Sequence, residues 1–436
     1  MLHSLTIRNF RSIRDEQELD CSGLNAGMNS RLNIIGNRAC GSFIPVTVLF
    51  GANASGKSNV LDALAYIRVL VRESADYKVD EPMENQAFAL DRTSLDKESA
   101  FSVKFSTTER EYQYSFAIAH GCVKSEELIE YVKGPKRRSQ RRLFSRHRSE
   151  SPDRPIIKIS ENLPGQKKAI ISATRDNMLF LSKAAKENFQ PLLDAFRWFV
   201  PSYQDADALD LFDEDSQFRA WILHLFEAAD LGVTGIRIQS PRQVPIAASQ
   251  SSTEENSETG ELAQYMQYVH TTFESIARRE RRPTLSHRVV LDDTVVEKEI
   301  PWFYESLGTK QLWKYAAGLY TSLRDGSLLM FDEITGLHPL LLREIISLYQ
   351  QENTNSHGAQ LLFSSHDTAL LGNWGGTGYV LDRDEIWFTE KGYDGATQLY
   401  PLTDFSPRDT EDIEKRYLQG RYGSTPILGE LTIESE

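Results

Sequence analysis

Apolar and polar residues alternate along the first third of the chain. The alternation covers residues 2–8, strand-like patterns recur over 101–105 and 112–118, and the short segments at 33–35 and 44–50 also look like strands. A period of two is typical of β-strands that bury one face. No helical stretch separates the strands at 101–105 and 112–118, so we predict an antiparallel sheet in this region.

The period changes in the middle of the chain. From about 170 to 232 apolar residues recur at helical spacing, whereas 240–260 is rich in Ser, Pro, Gln, Glu and Asn, which is typical of a linker. Strand character returns at 288–291, and helices and strands are predicted from there to the end. We therefore predict an α/β fold with a mixed sheet, an antiparallel lobe and a helical insertion.

Three segments are predicted from these changes. Residues 1–145 form an N-terminal lobe, 146–284 a mainly helical insert, and 285–436 a C-terminal lobe. The motifs described below lie in the first and third segments. The chain is therefore expected to fold back so that its two ends build one nucleotide-binding head.

Composition narrows the class of protein. At 436 residues the chain is long for one core, and its length suggests about two to three domains. The net charge of -13 argues against nucleic-acid binding through overall charge, although a local basic patch could still bind. Cys21, Cys40 and Cys122 lack metal-type spacing, which argues against a zinc site or a disulfide framework. No apolar run suits a signal peptide or a membrane span, so a cytoplasmic protein without a membrane partner is expected.

One motif dominates the chemistry. Residues 51–58, GANASGKS, form a complete G-x-x-x-x-G-K-S phosphate loop between the strand at 46–50 and a helical run. Lys57 would reach the β- and γ-phosphates of a nucleotide, and the Ser58 hydroxyl would bind Mg²⁺. The candidate nucleotide-binding residues are Gly51, Asn53, Ser55, Gly56, Lys57, Ser58 and Asn59.

Two apolar strands in the last third end in polar side chains. The strand at 327–331 leads into Asp332 and Glu333. We expect Asp332 to hold Mg²⁺, largely through water, and Glu333 to orient and deprotonate the attacking water. The strand at 360–365 ends in His366, whose imidazole could hydrogen-bond the γ-phosphate.

A further anion site is predicted before the acidic strand. Residues 305–309, ESLGT, precede a helical run at 311–323. Ser306 and Gly308 would offer hydroxyl and backbone N–H donors at the helix N-terminus.

In this order the motifs resemble the head domain of ABC-type ATPases of the SMC, RecN and OLD kind. The resemblance is carried by NFRS at 9–12, the phosphate loop, ESLGT, LLMFDE, the GLHP loop at 336–339 and FSSHD at 363–367. Within that superfamily the chain looks most like the stand-alone AAA_15 and AAA_21 ATPases of bacterial defence operons, including the RloA, AbiLi and PtuA types. The tail at 384–388 and 414–423 is similar to the end of those proteins.

The resemblance implies a composite site. ATP and Mg²⁺ would be held by one protomer and covered by Ser306 and Gly308 of another, so at least a homodimer is expected. It also implies a glutamine near the metal, for which Gln86 is the candidate, and an approach of Arg11 to the phosphates. ESLGT departs from the two-glycine signature of transporters toward the SMC-like side.

Two stretches remain open to alternative interpretations. Residues 133–148 contain eight Lys or Arg residues and no acid, so they could form a solvated mobile loop or contact the phosphate backbone of DNA or RNA. Residues 379–385 combine a predicted strand with the D-x-D-E of Asp382 and Asp384. This pattern could be a nuclease metal site, but solvated acids before a strand are favoured.

The leading functional hypothesis is an ATP-hydrolysing, dimerising switch. By analogy with the resembled family, it would control a separately encoded nuclease or toxin in anti-phage defence. The alternatives are an ATP-gated nuclease that acts by itself on DNA or tRNA, and an ATPase that binds DNA ends.

Overall fold

The structure is a computed structural model, and it describes residues 1–23, 35–37, 41–133, 138–148, 155–201, 207–229, 231–238, 281–291, 294–373, 378–408 and 411–426. The strands are β1 (Leu2–Arg8), β2 (Gln17–Asp20), β3 (Ile35–Asn37), β4 (Gly41–Phe43), β5 (Val46–Phe50), β6 (Ser99–Ser106), β7 (Glu111–Ala119), β8 (Cys122–Lys133), β9 (Arg138–His147), β10 (Ile156–Ile159), β11 (Val233–Ile238), β12 (Pro283–Leu291), β13 (Thr294–Pro301), β14 (Leu328–Phe331), β15 (Gln360–Ser365), β16 (Ile386–Lys391) and β17 (Thr397–Pro401).

The α-helices are α1 (Lys57–Glu73), α2 (Arg92–Leu95), α3 (Lys167–Ala173), α4 (Phe180–Lys186), α5 (Gln190–Phe199), α6 (Ala208–Glu214), α7 (Ser216–Ala228), α8 (Leu307–Asp325), α9 (Pro339–Gln350) and α10 (Ile413–Leu418). Within the described ranges, no helix is both long and apolar enough to cross a membrane. The predicted linker at 240–260 and residues 33–34 of a predicted strand lie outside the described residues.

The chain divides into two compact units. The larger, which we call the head, consists of Met1–Gln204 and Thr321–Glu436, and the smaller, the inserted unit, consists of Asp205–Tyr320. These bounds differ from the predicted segments, because α3, α4 and α5 contribute side chains to the hydrophobic core of the head.

A five-stranded mixed sheet forms one part of the head. Its order is β14-β15-β5-β16-β17, with parallel pairing throughout except between β16 and β17. Every residue of β5 and β15 is buried, as expected for the central strands of a parallel sheet. Because β5, β14 and β15 run the same way, the loops that follow them emerge at one edge of the sheet.

A seven-stranded antiparallel sheet forms the other part of the head. Its order is β10-β9-β8-β7-β6-β1-β2, and every neighbouring pair is antiparallel. The burial of β1 and β6 largely alternates along each strand, so the strands predicted at 2–8, 101–105 and 112–118 and their antiparallel pairing are confirmed. The apolar faces share one core with α1, α4 and α5.

The interpretation of the basic stretch as a mobile loop is wrong for residues 138–147, whereas residues 134–137 lie outside the described residues. Residues 138–147 form β9, which pairs with β8 on one side and β10 on the other. The basic side chains meet acids that β8 carries: Arg141 pairs with Glu130, and Arg142 pairs with Glu127. Arg146 is fully buried, 3.7 Å from Glu126. Cross-strand acids thus neutralise much of a charge that looked uncompensated in the sequence.

The inserted unit combines helices with a three-stranded sheet. The sheet has the antiparallel order β11-β12-β13. Aromatic rings organise the helical part, where Trp313 of α8 contacts Phe212, Phe226 and Trp302. Tyr320 packs edge-on against Phe218, and its hydroxyl donates to Asp215 at 3.0 Å.

Candidate functional site

The phosphate loop lies between β5 and α1, in the context predicted for it. Lys57 opens α1, and its Nζ donates to the carbonyl oxygens of Gly51 and Ala52 at 2.7 and 3.0 Å. Gly56 adopts φ +111°, and a Cβ there would lie 2.2 Å from Thr397 Oγ1. This position therefore requires glycine both for its backbone angle and for the close approach of β17.

A series of hydrogen-bonded polar side chains supports the phosphate loop. Asn59 Nδ2 donates to Ser12 Oγ at 2.5 Å, Ser12 Oγ lies 2.7 Å from Thr397 Oγ1, and Thr397 Oγ1 donates to the Ser55 carbonyl at 2.9 Å. Ser55 Oγ lies 2.6 Å from Thr389 Oγ1. Sequence reasoning missed the two threonines, because β16 and β17 come more than 300 residues after the loop.

The N-terminus of α1 is suited to an anion. Gly56 is its N-cap, and no side chain caps the first turn. The first N–H groups of a helix have no partner within the helix, and the helix dipole adds positive potential there. Ser58 is exposed on this turn, and Asn53 is exposed in the loop. These groups are donors that a triphosphate could use.

The acidic pair follows β14 at the same edge of the sheet. Ser364 of β15 donates from Oγ to Asp332 Oδ1 at 2.8 Å and accepts from the Glu333 backbone N–H at 2.9 Å. Glu333 has φ +61°, an uncommon backbone angle for a residue with a side chain. Ser364 therefore fixes the positions of both residues. The sequence analysis did not single out Ser364, although it lies two residues before the predicted His366.

His366 follows β15 and faces the acidic pair. Its Nε2 lies 3.9 Å from Glu333 Oε1, and both side chains are partly exposed. The two groups therefore lie close to each other at this edge of the sheet.

The buried Lys57 lies close enough to two carboxylates at this edge of the sheet to feel their negative charge. Burial lowers the pKa of Lys57 to about 8, and the nearby charges of Glu333 and Asp332 oppose that shift. Lys57 is 6% exposed. The fold thus places Lys57 within electrostatic range of Asp332 and Glu333, although the phosphate loop and the acidic strand are far apart in the sequence.

The residues present fit a nucleotide and a divalent cation. A buried ammonium, an open helix N-terminus and exposed hydroxyl donors suit phosphate oxygens. The Ser58 hydroxyl and the Asp332 carboxylate are hard oxygen ligands of the kind that Mg²⁺ takes together with substrate phosphates.

Gln86, the candidate metal ligand, is engaged elsewhere. Its Oε1 accepts from Arg11 Nε at 2.6 Å, and its carbonyl accepts from the Arg11 backbone N–H at 2.6 Å. Arg11 also forms an ion pair with Asp62 of α1. The structure thus joins Gln86 and Arg11 to each other.

The predicted signature starts α8, as expected. Ser306 Oγ accepts from the Thr309 backbone N–H at 3.1 Å and lies 2.8 Å from Thr309 Oγ1. Glu305 is buried and lies 2.8 Å from His287 Nε2 of β12. Ser306 is exposed and Gly308 is partly exposed. Both lie in the inserted unit, whereas the phosphate loop and the acidic pair lie in the head.

The stretch at 379–385 differs from both interpretations. Tyr379 forms only an isolated bridge instead of a strand, and Asp382 caps the 3₁₀ turn Arg383–Glu385 in a capping box. Glu385 is fully buried, so the acids are not simply solvated. Burial raises the pKa of Glu385 to about 8 and that of Asp384 to about 6. Across the described ranges, no three His, Cys, Asp or Glu side chains cluster as a metal site.

Comparisons with known proteins give one family and a group of similar structures. The family AAA_21, described as "AAA domain, putative AbiEii toxin, Type IV TA system", matches residues 46–372. No curated protein matches the chain significantly. The SMC head domain from Thermotoga maritima is 13% identical with a TM-score of 0.39, over 92% of this chain and 98% of that one. An SMC head bound to the C-winged helix domain of ScpA is 12% identical with a TM-score of 0.40, over 93% and 99%.

Proposed function

The chain belongs to the AAA_21 family, and from that membership we propose that it is an ATP-hydrolysing switch that acts as a dimer in the cytoplasm. One observation carries the proposal. The head brings Lys57 of the phosphate loop into the electrostatic field of Asp332 and Glu333, beside His366. A cation for phosphates, a carboxylate for a metal and a second carboxylate for water are the parts that phosphoryl transfer to water requires.

The residues of the head divide the chemistry. Lys57 and the N–H groups at the start of α1 bind and orient the β- and γ-phosphates. Glu333 accepts a proton as the water oxygen attacks the γ-phosphorus and the bond to the bridging oxygen of ADP breaks. His366, close to Glu333, donates a hydrogen bond to the γ-phosphate and loses it after cleavage. Ser364 keeps Asp332 and Glu333 in position.

Mg²⁺ would be held by Ser58 and Asp332. When bound, it supplies neutralisation of phosphate charge. Gln86 remains a proposed additional ligand, and its engagement with Arg11 means that it would have to change partners first.

A second protomer is proposed to complete the site. Ser306 and Gly308 lie at the start of the long helix α8, where a hydroxyl and backbone N–H groups suit a phosphate oxygen. We propose that they cover the nucleotide of the partner, which makes dimerisation depend on ATP.

The biological role proposed is control of a separately encoded effector in anti-phage defence. The family description includes the words "putative AbiEii toxin, Type IV TA system", which associate the family with a toxin system. The sequence resemblance to defence-operon ATPases supports the same role by analogy. Closure of two heads on ATP and reopening after hydrolysis would switch the effector.

Glu333→Gln tests the proposal. The variant keeps the shape of the side chain but removes the base, so we expect ATP binding to persist while phosphate release falls by about 100-fold or more. ATP should then hold the protein as a dimer, which light scattering after gel filtration measures with and without ATP. Glu344→Gln, an exposed acid on α9, is the matched control and should turn over like wild type.

Lys57→Ala in the same assays separates binding from chemistry. Removing the ammonium should abolish ATP binding, whereas Lys391→Ala, an exposed lysine at the end of β16, should not. Wild-type turnover in Lys57→Ala or in Glu333→Gln would contradict the site assignment.

A further inference from the structure

A cationic cleft lies in the head near the end of the described chain. Its volume is about 390 Å³, and the described residues that line it are all polar or charged: Arg408, Glu411, Asp412, Lys415, Arg416, Gln419 and Arg421. Four of these seven residues are basic, in a chain whose net charge is -13. We call this feature the C-terminal cleft.

The two acids of the cleft are already engaged. Glu411 forms an ion pair with Arg416 at 3.0 Å. Asp412 caps α10 by accepting a hydrogen bond from the Lys415 backbone N–H at 3.0 Å. Arg408, Lys415 and Arg421 are exposed. Within the part of the chain that the structure describes, none of these three side chains forms an ion pair. The cleft therefore keeps positive charge available to an external anion.

The basic strand β9 makes an informative contrast. Arg141 and Arg142 face Glu130 and Glu127, and Arg148 lies 3.4 Å from Asp176. The described arginines at 141–148 are thus neutralised within the fold, whereas the cleft draws its charge from positions that are dispersed along 408–421. Only the tertiary structure makes this second cluster visible.

The segment that presents the cations is firmly anchored. Tyr417 of α10 stacks on Phe388 at 5.5 Å and meets Phe50 edge-on. Ser424 Oγ donates to the carbonyl oxygens of Thr389 and Phe50 at 2.7 and 3.3 Å. The cleft is therefore attached to β5, the strand that leads into the phosphate loop, rather than to a solvated tail.

We propose that the C-terminal cleft binds the phosphate backbone of a nucleic acid. Arginine presents a planar fork of donors that matches phosphate oxygens, and Gln419 adds an amide donor. A fully polar, cationic lining is typical of nucleic-acid interfaces, whereas protein interfaces have an apolar centre. The aromatic residues of this segment, Tyr417 and Tyr422, are buried, so recognition is independent of base sequence.

The test compares two triple variants of the full chain. Arg408→Ala/Lys415→Ala/Arg421→Ala removes three of the four positive charges of the cleft. Arg141→Ala/Arg142→Ala/Arg148→Ala removes the same number of positive charges from β9 and the residue after it. Fluorescence anisotropy follows binding of labelled random-sequence duplex DNA, single-stranded DNA and RNA across a range of KCl concentrations. We expect the cleft variant to bind at least about tenfold more weakly and to flatten the duplex salt slope by about 0.9 for each phosphate that it no longer neutralises. The β9 variant should bind like wild type.

Four outcomes would overturn the proposal. Wild-type protein could fail to bind any of the three nucleic acids at low salt, the cleft variant could bind like wild type, or the β9 variant could be the one whose affinity falls. Polyglutamate could also displace the nucleic acid at equal charge concentration, which would indicate an acidic protein as the ligand. ATP turnover of the same preparations separates these results from a failure of the ATPase proposal, and melting temperatures exclude misfolding.

Discussion

At the scale of single residues, the candidate site contains a lysine with a lowered pKa and a glutamate with an uncommon backbone angle. Lys57 is a cation buried between a loop and two carboxylates, and Glu333 has a left-handed backbone angle. Such departures cost free energy in the free protein, and they are common where a ligand will later compensate them. We therefore expect nucleotide binding to change the protonation of Lys57 and the environment of Glu333.

The lowered pKa of Lys57 predicts proton uptake on ATP binding. Above about pH 8 part of the free protein carries a neutral Lys57, whereas a bound triphosphate favours the ammonium. Affinity should therefore fall as pH rises, by at most about tenfold per pH unit between roughly pH 8 and 10. Calorimetry near pH 8.5 in buffers of different ionisation enthalpy measures the protons taken up.

Glu385→Gln provides the control for this titration. Glu385 also has a pKa near 8, but it contacts Gln350 and Asp382 instead of the phosphate loop. Its replacement should leave the proton uptake unchanged, and binding without proton uptake near pH 8.5 would refute the role of Lys57. In the absence of nucleotide, the lowered pKa of Lys57 makes stability rise with pH between about 8 and 10.5, since the unfolded chain then binds more protons.

At the scale of elements, the carboxylate of Glu126 joins the antiparallel sheet to α4. Glu126 of β8 accepts from the Phe180 and Leu181 backbone N–H groups at 2.7 and 2.9 Å and from the Tyr114 hydroxyl at 2.9 Å. The N-cap residue of α4, Leu179, has no side chain that can accept these bonds. A residue more than 50 positions earlier thus caps the helix.

Removal of this cap predicts a large loss of stability. Glu126→Ala leaves Arg146 buried beside an emptied position and exposes two helix N–H groups to an apolar core. We expect a loss of about 3–5 kcal/mol in the free energy of unfolding. Glu127→Ala removes the neighbouring carboxylate, whose partner Arg142 is largely exposed, and should cost about 1 kcal/mol or less. Urea unfolding measures both, and equal losses would contradict the capping role.

At the scale of the whole molecule, the residues proposed to contact the nucleotide belong to two different compact units. The phosphate loop and the acids belong to the head, and Ser306 belongs to the inserted unit. The proposal that Ser306 serves the nucleotide of a partner therefore concerns how two chains share one site. It is tested most directly by mixing two inactive proteins.

Complementation between Lys57→Ala and Ser306→Arg tests the composite site. Each variant alone should be inactive. A mixed dimer contains one site with both intact residues if Ser306 acts in trans, so random mixing of symmetric dimers should restore about a quarter of the wild-type rate. If Ser306 acts within its own chain, every site in the mixture is defective, and phosphate release stays at the level of the separate variants.

Much of the candidate site could be predicted from the sequence because its chemistry is local. A phosphate loop needs contiguous glycines, a lysine and a hydroxyl between a strand and a helix, and residues 46–73 contain all of these. The positions of Asp332 and His366 followed from the same reasoning, since apolar strands that end in polar side chains meet at one edge of a parallel sheet. The alternation of apolar and polar residues likewise made the antiparallel strands predictable.

Other features were decided by which distant side chains meet. The acids that neutralise Arg141 and Arg142 lie on β8, and the acid that neutralises Arg148 is Asp176. The local composition of the basic stretch does not reveal these partners, because tertiary contacts, including strand pairing, create them. Ser364 and Thr397 support the site through contacts that only the folded sheet creates. Local patterns thus determined the elements and the reactive groups of this protein, whereas the charge that remains accessible, the caps and the supporting contacts depended on tertiary packing, because each needs partners from separate segments.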